Sequence, residues 1–448
     1  MSAQSARSIR HTEGADKLRA LQRALYRSAK QDPDRRFHAL YDHVARSDVL
    51  WQAWDDVRTN RGAPGVDGVT IDAVESSGVS LFLDEIASAL RARTYRPAPL
   101  RRVFIPKPDG RKRPLGIPVI RDRVVMAAAR RVLEPVFEAD FSPVSFGFRP
   151  KRSAHMACEA IRVEANRGAD WVLDADVSDC FGQISHDALM SLVAQRVSDR
   201  DMLKLLKGWL RVGVLEGGVV TDTASGTPQG SPISPLLANI ALNLLDQQWA
   251  KVGRRIGVLV RYADDFVILC RNRSCAEEAR RRVERILANL GLQLNPDKTR
   301  MVCLTNGGQG FDFLGFHHHK VESWKWRGRW YLQRWPSARA MNTIRAKIRR
   351  VTDRKFVGEQ IEVAVGSLNR ILRGWHAYFR YGNSMEKFAT LDSYIHERLA
   401  ILASRKYGLP GRNWGPNCRF NGAWFKQLRV FRLSAAGSVR YGTAHAWR

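Results

Sequence analysis

Residues 258–270 read Val-Leu-Val-Arg-Tyr-Ala-Asp-Asp-Phe-Val-Ile-Leu-Cys, an Asp-Asp pair between two apolar runs of strand-forming residues. The pattern predicts a β-hairpin with both acids at its tip. A fold that buries those runs must carry two adjacent carboxylates on the rim of a sheet. Alone, such a pair reads as a solvated turn. A second apolar strand, over 171–177, also finishes in acid, at Asp176. Carboxylates gathered from two neighbouring strand ends repel one another unless a cation compensates them. Mg²⁺ takes oxygen ligands, and two such ions about 3.5–4 Å apart serve phosphoryl transfer between a 3′-hydroxyl and a triphosphate.

The rest of the chain supplies a frame for that rim. Its 448 residues are enough for about two to four folding units. Leu18, Leu21 and Leu25, then Phe37, Leu40, Tyr41 and Val44, stand at helical spacing and predict a helical N-terminal extension over 1–60. The Gly/Pro/Asp cluster over 61–68 breaks that pattern. From 61 to 335 short apolar strands alternate with helices, one of them carrying Ala279, Val283, Ile286, Leu287 and Leu290 on one face, so the body is α+β. Beyond Pro336 the period turns helical three times, through Met341–Val351, Ile361–Phe379 and Phe388–Leu402, predicting a small bundle over 336–405. Residues 406–448 form a short basic tail with weak periodicity.

Charge narrows the partner. Seventy-three Lys and Arg against 44 Asp and Glu give a net +29, which calls for a polyanion. Residues 317–448 hold 26 of the cations against 7 acids, with 8 of the 13 tryptophans. In Trp324-Lys325-Trp326-Arg327 the two kinds interleave, a composition able to stack bases and neutralise phosphates. Apolar content of 44% excludes a disordered chain. The six cysteines form no CxxC pair and the N-terminus lacks an apolar signal core, which points to a reducing cytoplasm. No apolar run approaches the roughly 20 residues a membrane span requires.

Tyr262-Ala263-Asp264-Asp265 resembles the YxDD signature of reverse transcriptases, and Asp176-Val177-Ser178-Asp179-Cys180-Phe181 resembles their first aspartate motif. The stretch 226–240, Gly-Thr-Pro-Gln-Gly-Ser-Pro-Ile-Ser-Pro-Leu-Leu-Ala-Asn-Ile, is similar to the PQG motif in the form typical of group II intron proteins. Residues 104–118, Phe146-Gly147-Phe148-Arg149-Pro150, Phe313-Leu314-Gly315-Phe316 and the maturase-like stretch 367–379 match in the same order. The chain thus resembles the group II intron-encoded reverse transcriptase/maturase family from about residue 60 to 405. The resemblance implies fingers and palm over 61–335 and a helical thumb over 336–405. Such proteins often end in an HNH endonuclease with paired cysteines, but the tail over 406–448 offers only Cys418, so no HNH module is expected there and DNA binding is one role for the tail.

The resemblance also implies the chemistry: an RNA-directed DNA polymerase working with two Mg²⁺ ions, with Asp176, Asp264 and Asp265 as catalytic acids and metal ligands and the Val177 carbonyl as a further ligand. Lys107 and Arg113 flank a predicted tight turn, and both cations can point at one triphosphate. The family binds it at the matching positions and places Lys298 near the leaving pyrophosphate. Gln229-Gly230 allows backbone to approach the nascent base pair. Phe181 stands where the family puts an aromatic under the incoming sugar, which implies dNTPs and a DNA product. Arg345, Arg349, Arg350 and Arg354 are candidate phosphate contacts for RNA. The implied partners are an RNA template, group II intron RNA, a DNA primer or target and dNTPs, in a cytoplasmic ribonucleoprotein. Cys180, Gly182, Ser185 and Ser231 depart from the family's commoner aromatic, acid, acid and glycine. Three consecutive histidines, 317–319, alternate across a strand and so do not share one ion. The competing readings are a relative retooled for antiviral defence, CRISPR spacer acquisition or DNA repair, a non-catalytic splicing factor, and an RNA-directed RNA polymerase; the intact acids and Phe181 speak against the last two.

Overall fold

The structure is a computed structural model and describes residues 3–106, 110, 112–216, 219–221, 226 and 230–439, of which 3–12 and 219–221 by their backbone alone. Eleven strands occur among these residues: β1 Leu100–Pro106, β2 Lys112–Ile117, β3 Trp171–Asp176, β4 Val214–Glu216, β5 Val219–Thr221, β6 Gly257–Tyr262, β7 Asp265–Cys270, β8 Arg300–Cys303, β9 Gly310–Phe313, β10 Phe316–Glu322 and β11 Trp330–Pro336. They form three sheets, in the orders β2-β1-β4-β5, β6-β7-β3-β8 and β11-β10-β9. With helices before, between and after the strands, the fold is α+β, as the alternation of periods predicts.

By internal contacts the chain divides into two units, one of Met1–Arg152, Ala175–Val267 and Glu277–Arg300, the other of Ser153–Asp174, Ile268–Ala276 and Met301–Arg448. The first is built on the helix Ile120–Glu138, buried on nearly all sides through Val124, Val125, Ala128, Ala129, Val132, Leu133 and Val136. Fourteen of its nineteen residues are buried, and Ala3–Gln31 and Ser47–Asn60 pack on it. Its one deeply buried acid, Asp122, accepts hydrogen bonds from the Tyr95 hydroxyl and the Ala98 N–H, both at 2.8 Å, so the charge is not left unpaired.

The first amphipathic stretch forms a long helix, but the second yields only the single turn Tyr41–Val44. Phe37 leaves the helical path to bridge Val197, and Leu40 and Tyr41 give their N–H groups to Asp199, each at 2.7 Å. A tertiary acceptor has replaced the intrahelical one. In the second unit the three helical periods beyond Pro336 become Ala338–Val351, Ile361–Phe379 and Met385–Lys406. Asp392 anchors the following segment by accepting from Leu433 N–H, Ser434 N–H and the Ser434 hydroxyl. No described helix is long and apolar enough to cross a membrane.

Candidate active site

β6 ends at Tyr262 and β7 begins at Asp265, leaving Ala263-Asp264 as a two-residue turn. Ala263 has φ 58°, a conformation that L-residues hold only where surroundings over-determine it. The surroundings here are specific. Arg261, fully buried, donates through Nη1 to the Ala263 carbonyl at 2.9 Å and to Asn239 Oδ1 at 3.1 Å. Its Nε donates to the buried Asp246 at 2.8 Å, so the buried guanidinium is neutralised and fixed at once. Asn239 Nδ2 reaches the Gly147 carbonyl at 2.9 Å, and Gly147 lies so close that an added Cβ would stand 2.3 Å from the Ala263 nitrogen.

The second strand end arrives from β3. The Asp176 carbonyl accepts from Asn295 N–H at 2.8 Å, Ser178 N–H donates to Gln293 at 2.9 Å, and Val177 pairs antiparallel with Leu294. Because the neighbours of Val177 make those two bonds, its own carbonyl points away from Leu294. Lys298 Nζ lies 2.7 Å from Asp176 Oδ2, with Asn295 Nδ2 at 3.5 Å from the same oxygen.

Since β7 neighbours β3, Asp265 comes within hydrogen-bond reach of Asp176, and Asp264 lies close enough to feel its charge. Burial raises the Asp264 carboxyl above its ordinary value; its own N–H opposes this, Asp176 adds to it, and Arg113 and Lys298 oppose it. Burial, then the Asp264 charge and a hydrogen bond to Asp176, push Asp265 up to about 7. Asp265 is nevertheless exposed, so burial weighs less on it, and crowding by the like charges of Asp264 and Asp176 carries the upward direction. Three hard oxygen donors whose mutual repulsion demands positive charge suit Mg²⁺ in chemistry. Among the described residues no three acids, histidines or cysteines already form a cage for one ion; Lys298 brings positive charge to Asp176.

The other predicted residues divide. Arg113 lies on β2 opposite Ile105, exposed, and acts on Asp264. Phe181 is half-buried in the turn Cys180–Gln183, where Gly226 presses against its carbonyl: a Cβ there would come within 2.6 Å. Gly230, at φ 104°, lies against Leu115 and Gly116 of β2. Lys107 and Gln229 lie outside the described residues. In the second unit Arg349, Arg350 and Arg354 are exposed, whereas Arg345 is half-covered with its guanidinium 5.8 Å from the Tyr394 ring centre. The histidine run alternates as expected, with His317 and His319 half-exposed and His318 buried.

The residues that depart from the family pattern each have local partners. A side chain at Gly182 would start 2.2 Å from the Asp179 carboxylate. Ser185 caps the helix His186–Ala194 by accepting from Ala188 N–H. Ser231, buried, contacts Met126 Sδ at 3.2 Å, and Cys180 fills a buried place beside the acids, its thiol pushed up to about 12 by burial and Asp264. Sequence reasoning does not reach the roles of Asp246, Asn239 and Asn295. The one signal was a charge, Arg261, inside an apolar strand.

The chain matches the family model described as reverse transcriptase (RNA-dependent DNA polymerase) over residues 105–318, and that described as group II intron, maturase-specific domain, over 341–420. It is 34% identical over 334 residues to Protein YkfC of Escherichia coli, covering 66% of this chain and 86% of that protein. It is 36% identical over 229 residues to the group II intron-encoded protein LtrA of Lactococcus lactis, covering 51% of this chain but 38% of that longer protein. A chain of a partial Cas6-RT-Cas1–Cas2 complex aligns over 56% of this chain and 41% of its own length, with 24% identity and a TM-score of 0.36, too loose a likeness to argue from. The two family models, in this order along the chain, and the two relatives point the same way: the chain belongs to the family of group II intron-encoded reverse transcriptases and maturases.

Proposed function

We propose that this protein is an RNA-directed DNA polymerase that copies RNA into cDNA, and that it binds the RNA of a group II intron to assist its splicing and mobility. The observation that carries the reading is the meeting of Asp176, Asp264 and Asp265 at adjacent strand ends, with Lys298 on Asp176. Two Mg²⁺ ions held by these acids and the Val177 carbonyl would activate a primer 3′-hydroxyl and steady the leaving pyrophosphate. The protein's own part is placement. The Arg261–Asp246 pair and Gly147 fix the turn that carries Asp264, which matters because misplacing reacting groups by about 1 Å can cost roughly a hundredfold in rate. Arg113 and Lys298 offer positive charge to a triphosphate, and Phe181 closes the sugar site to a 2′-hydroxyl.

Residues 336–405 serve as the thumb in this reading, with Arg349, Arg350 and Arg354 on RNA phosphates. The test is primer extension on an RNA template with dNTPs and Mg²⁺. Wild type extends, and Asp176→Ala and Asp264→Ala abolish extension while template binding persists; substantial synthesis by either variant would remove the site assignment. Asp264→Ala with Asp265→Ala is expected to leave splicing assistance intact, since positioning an RNA requires charge and shape rather than polymerase metals.

A further inference from the structure

The β10–β11 hairpin of the second unit carries rings that packing leaves partly open, His317 among them although it bonds Asp312 at 2.7 Å. Its register sets His317 opposite Trp335, His319 opposite Gln333 and Val321 opposite Tyr331. Strand alternation turns these six to one face, all half-exposed, while His318, Lys320, Leu332 and Arg334 are buried on the other. On the open face His317 and His319 stack with centres 5.9 Å apart and planes 21° from parallel, and the Trp335 ring lies 5.4 and 6.1 Å from them.

The hairpin tip continues the theme. Trp324 is 93% exposed and Trp326 52%, yet the turn that carries them is tightly tied. The buried Ser323 hydroxyl accepts from Lys325 N–H at 3.2 Å and Trp326 N–H at 3.0 Å, and Ser323 N–H donates to Arg329 at 2.8 Å. Glu322 accepts from Gly328 N–H at 2.7 Å, which occupies the one acid of the tip. Lys325 Nζ sits 5.0 Å and the Arg329 guanidinium 5.7 Å from the Trp326 ring centre, and Arg327 is exposed beside them. An ordered turn that holds an indole out in water, among three cations, has the chemistry of a surface for flat rings joined by anionic links.

We propose that this hairpin, by its open face and its tip at Trp324–Arg329, is a binding platform for single-stranded nucleic acid, with unpaired bases on the rings and phosphates on Lys325, Arg327 and Arg329. A duplex keeps its bases stacked on each other and can use only the cations, so the platform discriminates strandedness and not sequence. The proposal deepens the RNA-binding part of the proposed function and needs none of its polymerase chemistry, so a chain inactive in primer extension would still test it.

The experiment measures the affinity of the full chain for fluorescent oligouridine RNA, oligothymidine DNA and a duplex of equal phosphate number. Trp324→Ala with Trp326→Ala is expected to weaken single-strand binding about fivefold to a hundredfold, the value of one or more base stacks, and to leave duplex binding and the melting temperature nearly unchanged. Phe at both positions should restore most of the affinity. RNA and DNA weakening alike assigns the platform to bases in general, while weakening for RNA alone assigns it to RNA. Undiminished single-strand binding, an equal weakening for duplex, or no rescue by Phe would each overturn the proposal.

Discussion

Gly147→Ala tests whether the candidate acids are held by backbone packing, because it changes no acid and no charge. Gly147 does not have a positive φ, so alanine meets no conformational penalty of its own. The added Cβ would, however, stand 2.3 Å from the Ala263 nitrogen and 2.9 Å from the Tyr262 carbonyl carbon. Both are backbone atoms of the acid turn, about 1 Å short of ordinary contact, and neither can rotate aside. Either the turn or the 146–150 segment must shift by about that distance. Overpacking of this kind costs about 1–3 kcal/mol, a fall of a few degrees in melting temperature, whereas a displacement of about 1 Å at reacting groups costs on the order of a hundredfold in rate. The expected result is a folded protein that binds template-primer but extends it about a hundredfold more slowly. Gly366→Ala is the control: Gly366 lies in the helix Ile361–Phe379 with no neighbour within 4 Å, and alanine there should stabilise by about 0.5–1 kcal/mol without touching activity. Full extension activity with an unchanged melt for Gly147→Ala would refute the claim that this glycine positions the turn.

Three further outcomes are expected. Phe181→Val should admit ribonucleotides, reducing discrimination on the order of tenfold or more; unchanged discrimination in single-nucleotide incorporation would make Phe181 mere packing. For Asp265 the folded value near 7 lies above the ordinary 3.8, so the proton is held where an unfolded chain has released it. Its contribution to stability is then whole below about 4 and lost as pH rises to about 7. In metal-free thermal melts the advantage of Asp265→Asn over wild type should widen across that window and shrink when Mg²⁺ is added; a constant gap would contradict the carboxylate crowding. Reversing Arg349, Arg350 and Arg354 to Glu should lower the slope of log affinity for structured RNA against log salt by about 0.7–0.9 for each phosphate that is no longer neutralised, read by binding titrations; an unchanged slope would remove these residues from the interface.

The sequence determined the strands over 171–177, 258–262 and 266–270 to within a residue at each end, the helices beyond 336, and which acids stand as candidates. Those features are local: a period of two or of 3.6, a turn between apolar runs, an ordered series of motifs. It also placed His317 and His319 on the face opposite His318, since alternation needs no knowledge of neighbours. What it could not determine were interactions between segments far apart in the chain. Nothing in the local pattern at 239, 246 or 295 says that these residues reach Arg261 or Asp176. The helix expected through Phe37 gave way to a distant acceptor, Asp199, because a buried N–H follows the nearest available oxygen and not the period of its own segment. The same reason governs the acids. Their identity is written in the chain, but the positive φ of Ala263, the approach of Gly147 and the push on Asp265 exist only once four separate stretches have packed together, and packing is a property of the tertiary fold.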